Sequence, residues 1–388
     1  MTVWDELVGQ PEAVALFQAA ASSELTTSGT SDSAMTHSWL ITGPPGSGRS
    51  NLAYAFAASL LCRNQGCGQC PDCRQVTART HPDLATLTTE RVIISIDEVR
   101  HLVEGSYYSP SVSRYRVIVI EDADRMAERT SNVLLKALEE PPERTVWILC
   151  APSEADLIPT IRSRVRSVRL RVPSIENVTG LLIERDGIAA AEAERAARHA
   201  QSHIGMAHRL ATNADAASRR AESLELVLAM RGVHDAVMTA ARLLEIATDD
   251  AKALTEERDV RDIEETKRTL GIAEGDPIPP QMRSHFKNLE EQQKRRATRS
   301  LRDGLDRILV DLMSVYRDVV RIQLGVETDL INREDLEGLR TIARARTAAQ
   351  SLATLDAIAE ARERIASNVA PALALEAMLI QAIRRSAA

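Results

Sequence analysis

The feature that most constrains this chain is a glycine-rich loop between a strand pattern and a helix pattern. The apolar run 38–42 leads into Gly43-Pro44-Pro45-Gly46-Ser47-Gly48-Arg49-Ser50, and a helical pattern covers 51–61. A phosphate-binding P-loop requires this order, because glycines let backbone N–H groups turn inward and the helix N-terminus adds partial positive charge. The loop therefore predicts a nucleotide-binding α/β domain with its site at residues 43–50. The alternative is a glycine-rich turn without a ligand.

Arg49 stands where the P-loop pattern has lysine. Lysine is a compact ammonium that fits between the β- and γ-phosphates, whereas arginine is a longer planar fork. The substitution predicts weak or absent ATP hydrolysis by this chain, while binding of ATP with Mg²⁺ stays open.

An acidic pair ends another apolar run. Residues 117–120 are Val-Ile-Val-Ile, and Glu121 and Asp122 follow them. In a P-loop ATPase the first acid at this place holds hydrated magnesium and the second polarises the attacking water. The usual order is aspartate then glutamate, so the reversed order displaces both carboxylates by about one methylene, which is costly in phosphoryl transfer. Both residues are candidates for an impaired catalytic pair, the alternative being acids solvated at a strand end.

Four of the five cysteines lie close together, at Cys62, Cys67, Cys70 and Cys73. Four thiolates can surround one Zn²⁺ tetrahedrally and leave no open coordination position, so the spacing predicts a structural zinc module at 62–73. A redox C-x-x-C pair and reduced free thiols are the alternatives. Cys150 stands alone at the end of an apolar run and is interpreted as a small buried core residue.

A row of arginines follows residue 160. Arg162, Arg164 and Arg166 would share one face if this segment were extended, and such a row is usually a solvated surface. In a ring ATPase, however, an arginine after a serine reaches the neighbouring subunit's nucleotide and stabilises the charge on its γ-phosphate. Arg164, which follows Ser163, is the candidate for this catalytic role in trans.

The order of the predicted elements gives the fold class. Through 1–173, short apolar runs alternate with helical patterns, which predicts a parallel sheet covered by helices; from 174 onward no strand pattern is convincing. We expect an α/β P-loop domain at 1–173 with the zinc module inserted, a small helical lid at 174–214 and an all-α collar at 215–388. Within the collar, the charged, proline-containing segment 249–299 predicts an exposed helical arm with a turn.

Composition bounds the function. The formal net charge of the 388 residues is −7, which argues against a surface that coats nucleic acid, so any DNA contact must come from a local patch. The first residues lack a basic region followed by an apolar run, and no stretch approaches the roughly 18 apolar residues of a membrane span. We therefore expect a cytoplasmic protein without membrane contact.

With further motifs added, the chain resembles the bacterial clamp-loader family of AAA+ proteins. The resemblance includes WDELVGQ at 4–10, the cysteine module after the P-loop helix and NVLLKALEEPP at 132–142. It continues with Ser163-Arg164 and with NVAPALALE at 368–376, which is similar to the N-x-x-P-x-L-x-L-E ending of the family's collar domain. The resemblance implies a P-loop sheet domain, a helical lid and a collar that forms a pentamer.

The resemblance also implies a role and partners. The partners are gamma/tau and delta subunits in a pentameric ring, the sliding clamp, and primer-template DNA facing residues 129–132. Arg49, the reversed acidic pair and Met206, at the place of the lid's nucleotide-sensing arginine, favour the non-hydrolysing stator subunit, although Arg209 is another candidate for sensing. The alternatives are an active ATPase motor subunit of gamma/tau type and an AAA+ module outside replication.

Overall fold

The structure is a computed structural model that describes residues 2–5, 7–23, 34–88, 93–269, 279, 283–326 and 328–384. Contacts divide the chain into a first unit, Met1–Ala211, and a second unit, Thr212–Ala388. The boundaries of the three predicted domains stay predictions.

The first unit contains one parallel sheet. Its strands lie in the order β2-β3-β4-β1-β5, and every neighbouring pair is parallel. Because the carboxyl ends of parallel strands meet at one edge, the loop after β1 and the acidic residues after β3 lie along the same edge. The predicted parallel α/β class is confirmed. The strands are β1 Ser38–Thr42, β2 Leu84–Leu87, β3 Arg116–Ile120, β4 Thr145–Ala151 and β5 Arg166–Arg169.

Both faces of the sheet are covered by helices. Trp39 packs in a cluster with Phe17 and Phe56, whereas its neighbour Leu40 belongs to a second cluster on the other face with Leu134. Burial on two faces explains why the central strands are continuous apolar runs. The helices are α1 Pro11–Ser22, α2 Arg49–Leu61, α3 Pro71–Thr77, α4 Ile96–Ser106, α5 Glu128–Glu139 and α6 Pro159–Arg162.

Three further helices of this unit share a small core of their own. Val178, Leu182, Ala193 and Ala197 are buried together in it. The first of these helices stops at Gly187, whose left-handed φ of 68° suits glycine at a helix C-terminus. These helices are α7 Ile175–Asp186, α8 Ala190–His199 and α9 Ile204–Thr212.

The second unit is helical throughout its described residues, as expected for a segment without strand patterns. Its core contains Leu243, Leu309, Ile358 and Leu375. The helices are α10 Ala214–Leu228, α11 Val233–Thr269, α12 Arg283–Gln323, α13 Leu336–Ala345, α14 Ala348–Ala366 and α15 Pro371–Arg384.

The charged segment 249–299 contributes the end of α11 and the beginning of α12. Arg296, which is 9% exposed, pairs with Asp259 and Asp262 across the two helices at 2.5 and 2.9 Å. These ion pairs join the two long helices. Pro277 and Pro280, on which the predicted turn depends, lie outside the described residues.

Within the described part of the chain, no helix combines the length and apolar character that crossing a membrane demands.

Candidate functional site

The loop between β1 and α2 has the backbone of an anion-binding nest. Gly46 and Gly48 take left-handed φ angles of 80° and 91°, and Gly48 is the N-cap of α2, where no side chain caps the helix. The first N–H groups of such a helix lack partners within the helix and point toward an anion. A Cβ on Gly46 would lie 2.7 Å from the Cα of His203, so glycine is required there by conformation and by close approach.

Arg49 bonds within its own loop. Its guanidinium Nη1 donates to the backbone oxygen of Gly43. Burial and the nearby Asp122 raise the pKa of Asp124, and the positive charge of Arg49 opposes this rise. A P-loop lysine offers its charge to the phosphates, whereas the charge of Arg49 is engaged with the backbone carbonyl of Gly43.

The two acids after β3 have separate partners. Glu121 Oε1 accepts hydrogen bonds from the hydroxyls of Tyr54 and Thr88 at 2.8 and 2.7 Å, and it pairs with Arg79 Nη2 at 3.0 Å. Asp122 lies 3.6 Å from Arg125 Nε. Burial, followed by the charge of Glu121, raises the pKa of Tyr54, which therefore stays protonated as a donor. The reversed order of acids thus coexists with a glutamate held by three donors.

Arg164 lies in the turn between α6 and β5. Its Nε donates to Glu139 Oε1 at 2.7 Å, and its Nη1 donates to the Thr160 backbone oxygen at 2.7 Å and to Ser163 Oγ at 3.0 Å. The side chain is 32% exposed. Glu139 belongs to the LEEPP segment at the end of α5, so that segment orients the guanidinium.

The neighbouring arginines do not form one extended row. Arg162 is the last residue of α6, because Pro159 starts a helical turn there, and only Arg166 lies on β5. Arg166 donates to the Ala34 backbone oxygen at 2.7 Å and lies over the Trp39 ring at 5.2 Å, whereas Arg162 is exposed. The segment is therefore not extended from Arg162 to Arg166, and the three arginines do not share one face.

The four clustered cysteines converge in space. The ligand atoms of Cys62, Cys67, Cys70 and Cys73 all lie within 4.8 Å of one another. Two Sγ–Sγ distances from Cys62, to Cys70 and to Cys67, are 3.5 and 3.9 Å. Tetrahedral thiolates around Zn²⁺ at about 2.3 Å are about 3.8 Å apart, so the donor set fits one such ion.

Backbone N–H groups donate to the sulfur atoms of the cluster and favour thiolate, whereas burial raises the pKa of Cys70 and of Cys73. The N–H groups of Asn64 and Gly68 donate to Cys62 Sγ and Cys73 Sγ at 3.3 and 3.4 Å. The N–H groups of Gln69 and Cys70 lower the pKa of Cys67 to about 7. None of the five cysteines forms a disulfide, and Cys150 is buried in β4.

Comparison with known proteins places these residues in a family. The protein-family model described as "DNA polymerase III, delta subunit" matches residues 17–174. The DNA polymerase III subunit delta-prime of Pseudomonas aeruginosa is 38% identical over 134 residues, which are 33% of this chain and 41% of that protein. The delta-prime subunit of Bacillus subtilis is 25% identical over 340 residues, 86% of this chain and 87% of that protein. The chain is therefore similar to DNA polymerase III delta-prime subunits, and the match to the family model covers residues 17–174.

The family match has a defined extent. It spans about two fifths of the Pseudomonas relative's length, 41%, and subunits named gamma are among the other matching proteins. A solved structure from Thermotoga maritima, a DNA polymerase III gamma subunit-related protein, has a TM-score of 0.42 and 17% identity, covering 96% of this chain and 99% of that one. The predicted resemblance to the clamp-loader family is confirmed over the matched residues.

Several residues that support this site were missed by sequence reasoning. Buried Gln10 donates through Nε2 to the Arg171 backbone oxygen at 2.6 Å and lies 3.4 Å from the Ser47 oxygen, so it ties the WDELVGQ segment to the loop. Tyr54 and Arg79 hold Glu121, as described above. Gln10 belongs to the WDELVGQ motif, so the motif pointed to it. Tyr54 and Arg79 belong to no motif and lie far along the chain from Glu121, so no sequence pattern pointed to them.

The start of α5 narrows the DNA contact that the resemblance implies for residues 129–132. Thr130 and Ser131 are buried at 3% and 1% exposure, and Ser131 Oγ donates to the Met126 oxygen, so their hydroxyls do not face solvent. Arg129 and Asn132 are exposed. A phosphate contact at the start of α5 therefore has only these two side chains available within 129–132.

Proposed function

We propose that this chain is the delta-prime, or stator, subunit of the clamp loader of bacterial DNA polymerase III. In this role it joins gamma/tau and delta subunits in a five-membered ring and helps to open the sliding clamp and load it onto primed DNA. It supplies Arg164 to the ATP site of a neighbouring subunit. The cytoplasm, where replication proceeds in bacteria, is its proposed location.

One contrast carries this proposal. The groups that would serve the chain's own ATP site are engaged internally, since Arg49 bonds the Gly43 oxygen and Glu121 has three donors. Arg164, by comparison, is oriented by Glu139 and remains 32% exposed. An arginine that is fixed in direction yet accessible suits stabilisation of charge on a neighbour's γ-phosphate.

We assign Zn²⁺ to the four-cysteine cluster as a structural metal. Four thiolates complete the coordination sphere, so no position remains for a substrate or a reactive water. The support is the fit of the sulfur positions and the N–H donors that stabilise thiolate.

At the P-loop we propose that ATP binds with little or no turnover. The glycine nest and the N-terminus of α2 offer backbone N–H groups to the phosphates, and these groups do not depend on the side chain at position 49. Direct DNA contact is proposed for Arg129 and Asn132, whose side chains suit phosphate oxygens.

A gamma/tau-type motor subunit is the second candidate. The observation that favours it is the intact nest together with two carboxylates after β3, which are the parts that phosphoryl transfer uses. Matching subunits named gamma add to its support.

Reconstitution separates the candidates. Gamma/tau, delta and clamp proteins from the same bacterium are assembled with and without this chain, and loading of fluorescent clamp onto primed DNA is followed. We expect loading only when the chain is present and no ATP turnover by the chain alone. Turnover at the motor subunits' rate would support the second candidate, and failure to assemble would point to an AAA+ role outside replication.

A further inference from the structure

Glu121 is tied to the segment that leaves the cysteine module. Arg79 lies two residues beyond α3, the helix that carries Cys73, and its Nη2 is 3.0 Å from Glu121 Oε1. The Glu121 side chain is 12% exposed and the Arg79 side chain 45%. The ion pair is therefore half shielded, with the carboxylate on the buried side.

Arg79 is also fixed against the helix that begins at the P-loop. Its guanidinium carbon lies 4.7 Å from the centre of the Tyr54 ring, a cation–π distance, and Tyr54 lies on α2. The Arg79 backbone is left-handed, with φ of 59°, and its N–H donates to the Val76 oxygen at 3.0 Å. Glycine is the common residue at such a helix end. Arg79 therefore adopts a backbone conformation that arginine seldom adopts.

The donors to Glu121 come from three parts of the chain. Thr88 follows β2, which pairs with β3 on the side opposite β4, and Tyr54 lies on α2. The P-loop follows β1, which lies beyond β4 in the same sheet. Glu121 Oε1 thus already accepts from two hydroxyls and pairs with Arg79, whereas holding the water shell of a magnesium ion on bound nucleotide would require the same carboxylate.

We propose that Arg79 is a positioning residue that withholds Glu121 from magnesium, so that nucleotide binds this P-loop independently of Mg²⁺. To reach a hydrated Mg²⁺, which demands near-octahedral oxygen ligands, Glu121 must give up a guanidinium and two hydroxyl donors. The inference deepens the proposed weak turnover at the chain's own site and rests on that part of the proposed function.

Nucleotide titration of the isolated full chain tests the inference. The affinity for a fluorescent ATP analogue is measured in excess Mg²⁺ and in EDTA, for wild type and for Arg79→Ala, Arg79→Lys and Arg79→Ala/Glu121→Gln. We expect a ratio of the two Kd values near one for wild type. In Arg79→Ala, Mg²⁺ should tighten binding by about threefold or more, because the carboxylate then keeps only two hydroxyl donors, which are neutral and exchange more readily for the metal's water shell than the guanidinium does.

Three variants make the result specific to this pair. The double variant should return the ratio to near one, because the glutamine lacks the charge that attracts the metal, and Arg79→Lys should lie closer to wild type. Arg74→Ala removes an exposed arginine of the same helix, α3, without touching Glu121, and should leave the ratio at one. Circular dichroism and thermal unfolding confirm that each variant is folded.

Three outcomes would overturn the inference. One is an unchanged ratio in Arg79→Ala, including the case in which no variant binds nucleotide under either condition. Another is a wild-type ratio already well above one. The third is a Mg²⁺ effect in Arg79→Ala that survives Glu121→Gln. Clamp loading by reconstituted complexes is measured separately, so failure here with normal loading would leave the stator role standing.

Discussion

Three arginines of the first unit have three different partners. Arg49 bonds the backbone oxygen of Gly43, Arg79 pairs with Glu121, and Arg164 pairs with Glu139. A planar guanidinium presents several donors in a fixed fork, so each partner determines where the charge points. At the residue scale, the site is therefore distinguished by where these charges are directed.

Arg164→Ala should impair clamp loading without unfolding the chain. An arginine supplied in trans is worth about 10³–10⁵ in rate at a single GTPase site, through stabilisation of transition-state charge. Only one of several ATP sites in the ring would lose its arginine, so total clamp-stimulated ATP hydrolysis should fall by less. The measurement is loading and ATP hydrolysis by reconstituted complexes, with pentamer assembly checked by gel filtration.

Arg162→Ala and Arg166→Ala are the matched controls, since each removes one arginine from the same segment. Arg162 is exposed, and Arg166 contacts Ala34 and Trp39, so neither is oriented by Glu139. If complexes with Arg164→Ala load clamps normally and complexes with Arg162→Ala fail, the role belongs to Arg162 and the assignment to Arg164 is wrong. Normal loading by all three would remove the trans-acting role.

At the scale of elements, the module from Cys62 to Cys73 depends on local turns. Gly66 and Gly68 take left-handed φ angles of 87° and 76°, which bring Cys67 and Cys70 back toward Cys62. The Val3 N–H donates to the Gly66 oxygen at 3.0 Å, so the N-terminal segment is bonded to the module. Loss of the metal should therefore loosen more than the loop itself.

Cys70→Ser should remove the metal and destabilise the first unit. We expect about one zinc per wild-type chain and close to none in the variant, because serine is a poor ligand for zinc. The free energy of unfolding should fall by about 2 kcal/mol or more, since metal binding contributes directly to folding. Elemental analysis of reduced protein and chemical denaturation provide the measurements.

Cys150→Ala is the control for that experiment. Cys150 is a fully buried thiol of β4 outside the cluster, so its loss should leave the metal content unchanged. Absence of zinc from freshly purified, reduced wild-type protein would contradict the assignment.

At the scale of the whole molecule, the parts of an ATPase are present but arranged around internal contacts. The nest lies at the edge of the sheet where the acidic pair also lies, yet Arg49 and Glu121 are engaged with groups of the chain itself. Such an arrangement favours the proposed stator role, in which the chain contributes contacts to neighbouring subunits and does not hydrolyse ATP itself.

The isolated chain should hydrolyse ATP about 10²-fold more slowly than a motor subunit, because misplacement of groups by about 1 Å has costs of this size. Arg49→Lys alone should restore little, since Glu121 keeps its three donors. Steady-state phosphate release is the measurement. A wild-type rate equal to that of gamma/tau subunits would refute the stator assignment.

Local features of the sequence determined much of this description. The apolar runs 38–42 and 117–120 lie in strands β1 and β3, and the helical pattern 51–61 lies in α2, because such periodicities depend on near neighbours. Helix α1 was missed, although Pro11 at its start and the spacing of Ala13 and Phe17 carried the signal. The cysteine spacing was informative because four ligands within twelve residues must lie near one another.

Only the tertiary structure decided which side chains meet. Arg164 and Glu139 are 25 residues apart, and Tyr54 and Glu121 are 67 apart, so no periodicity relates them. Thr130 and Ser131 lie in a polar helix start, yet both are buried in the folded unit, which no local pattern indicates. Partners across a sheet edge depend on strand order, and strand order follows from long-range burial that no local pattern encodes.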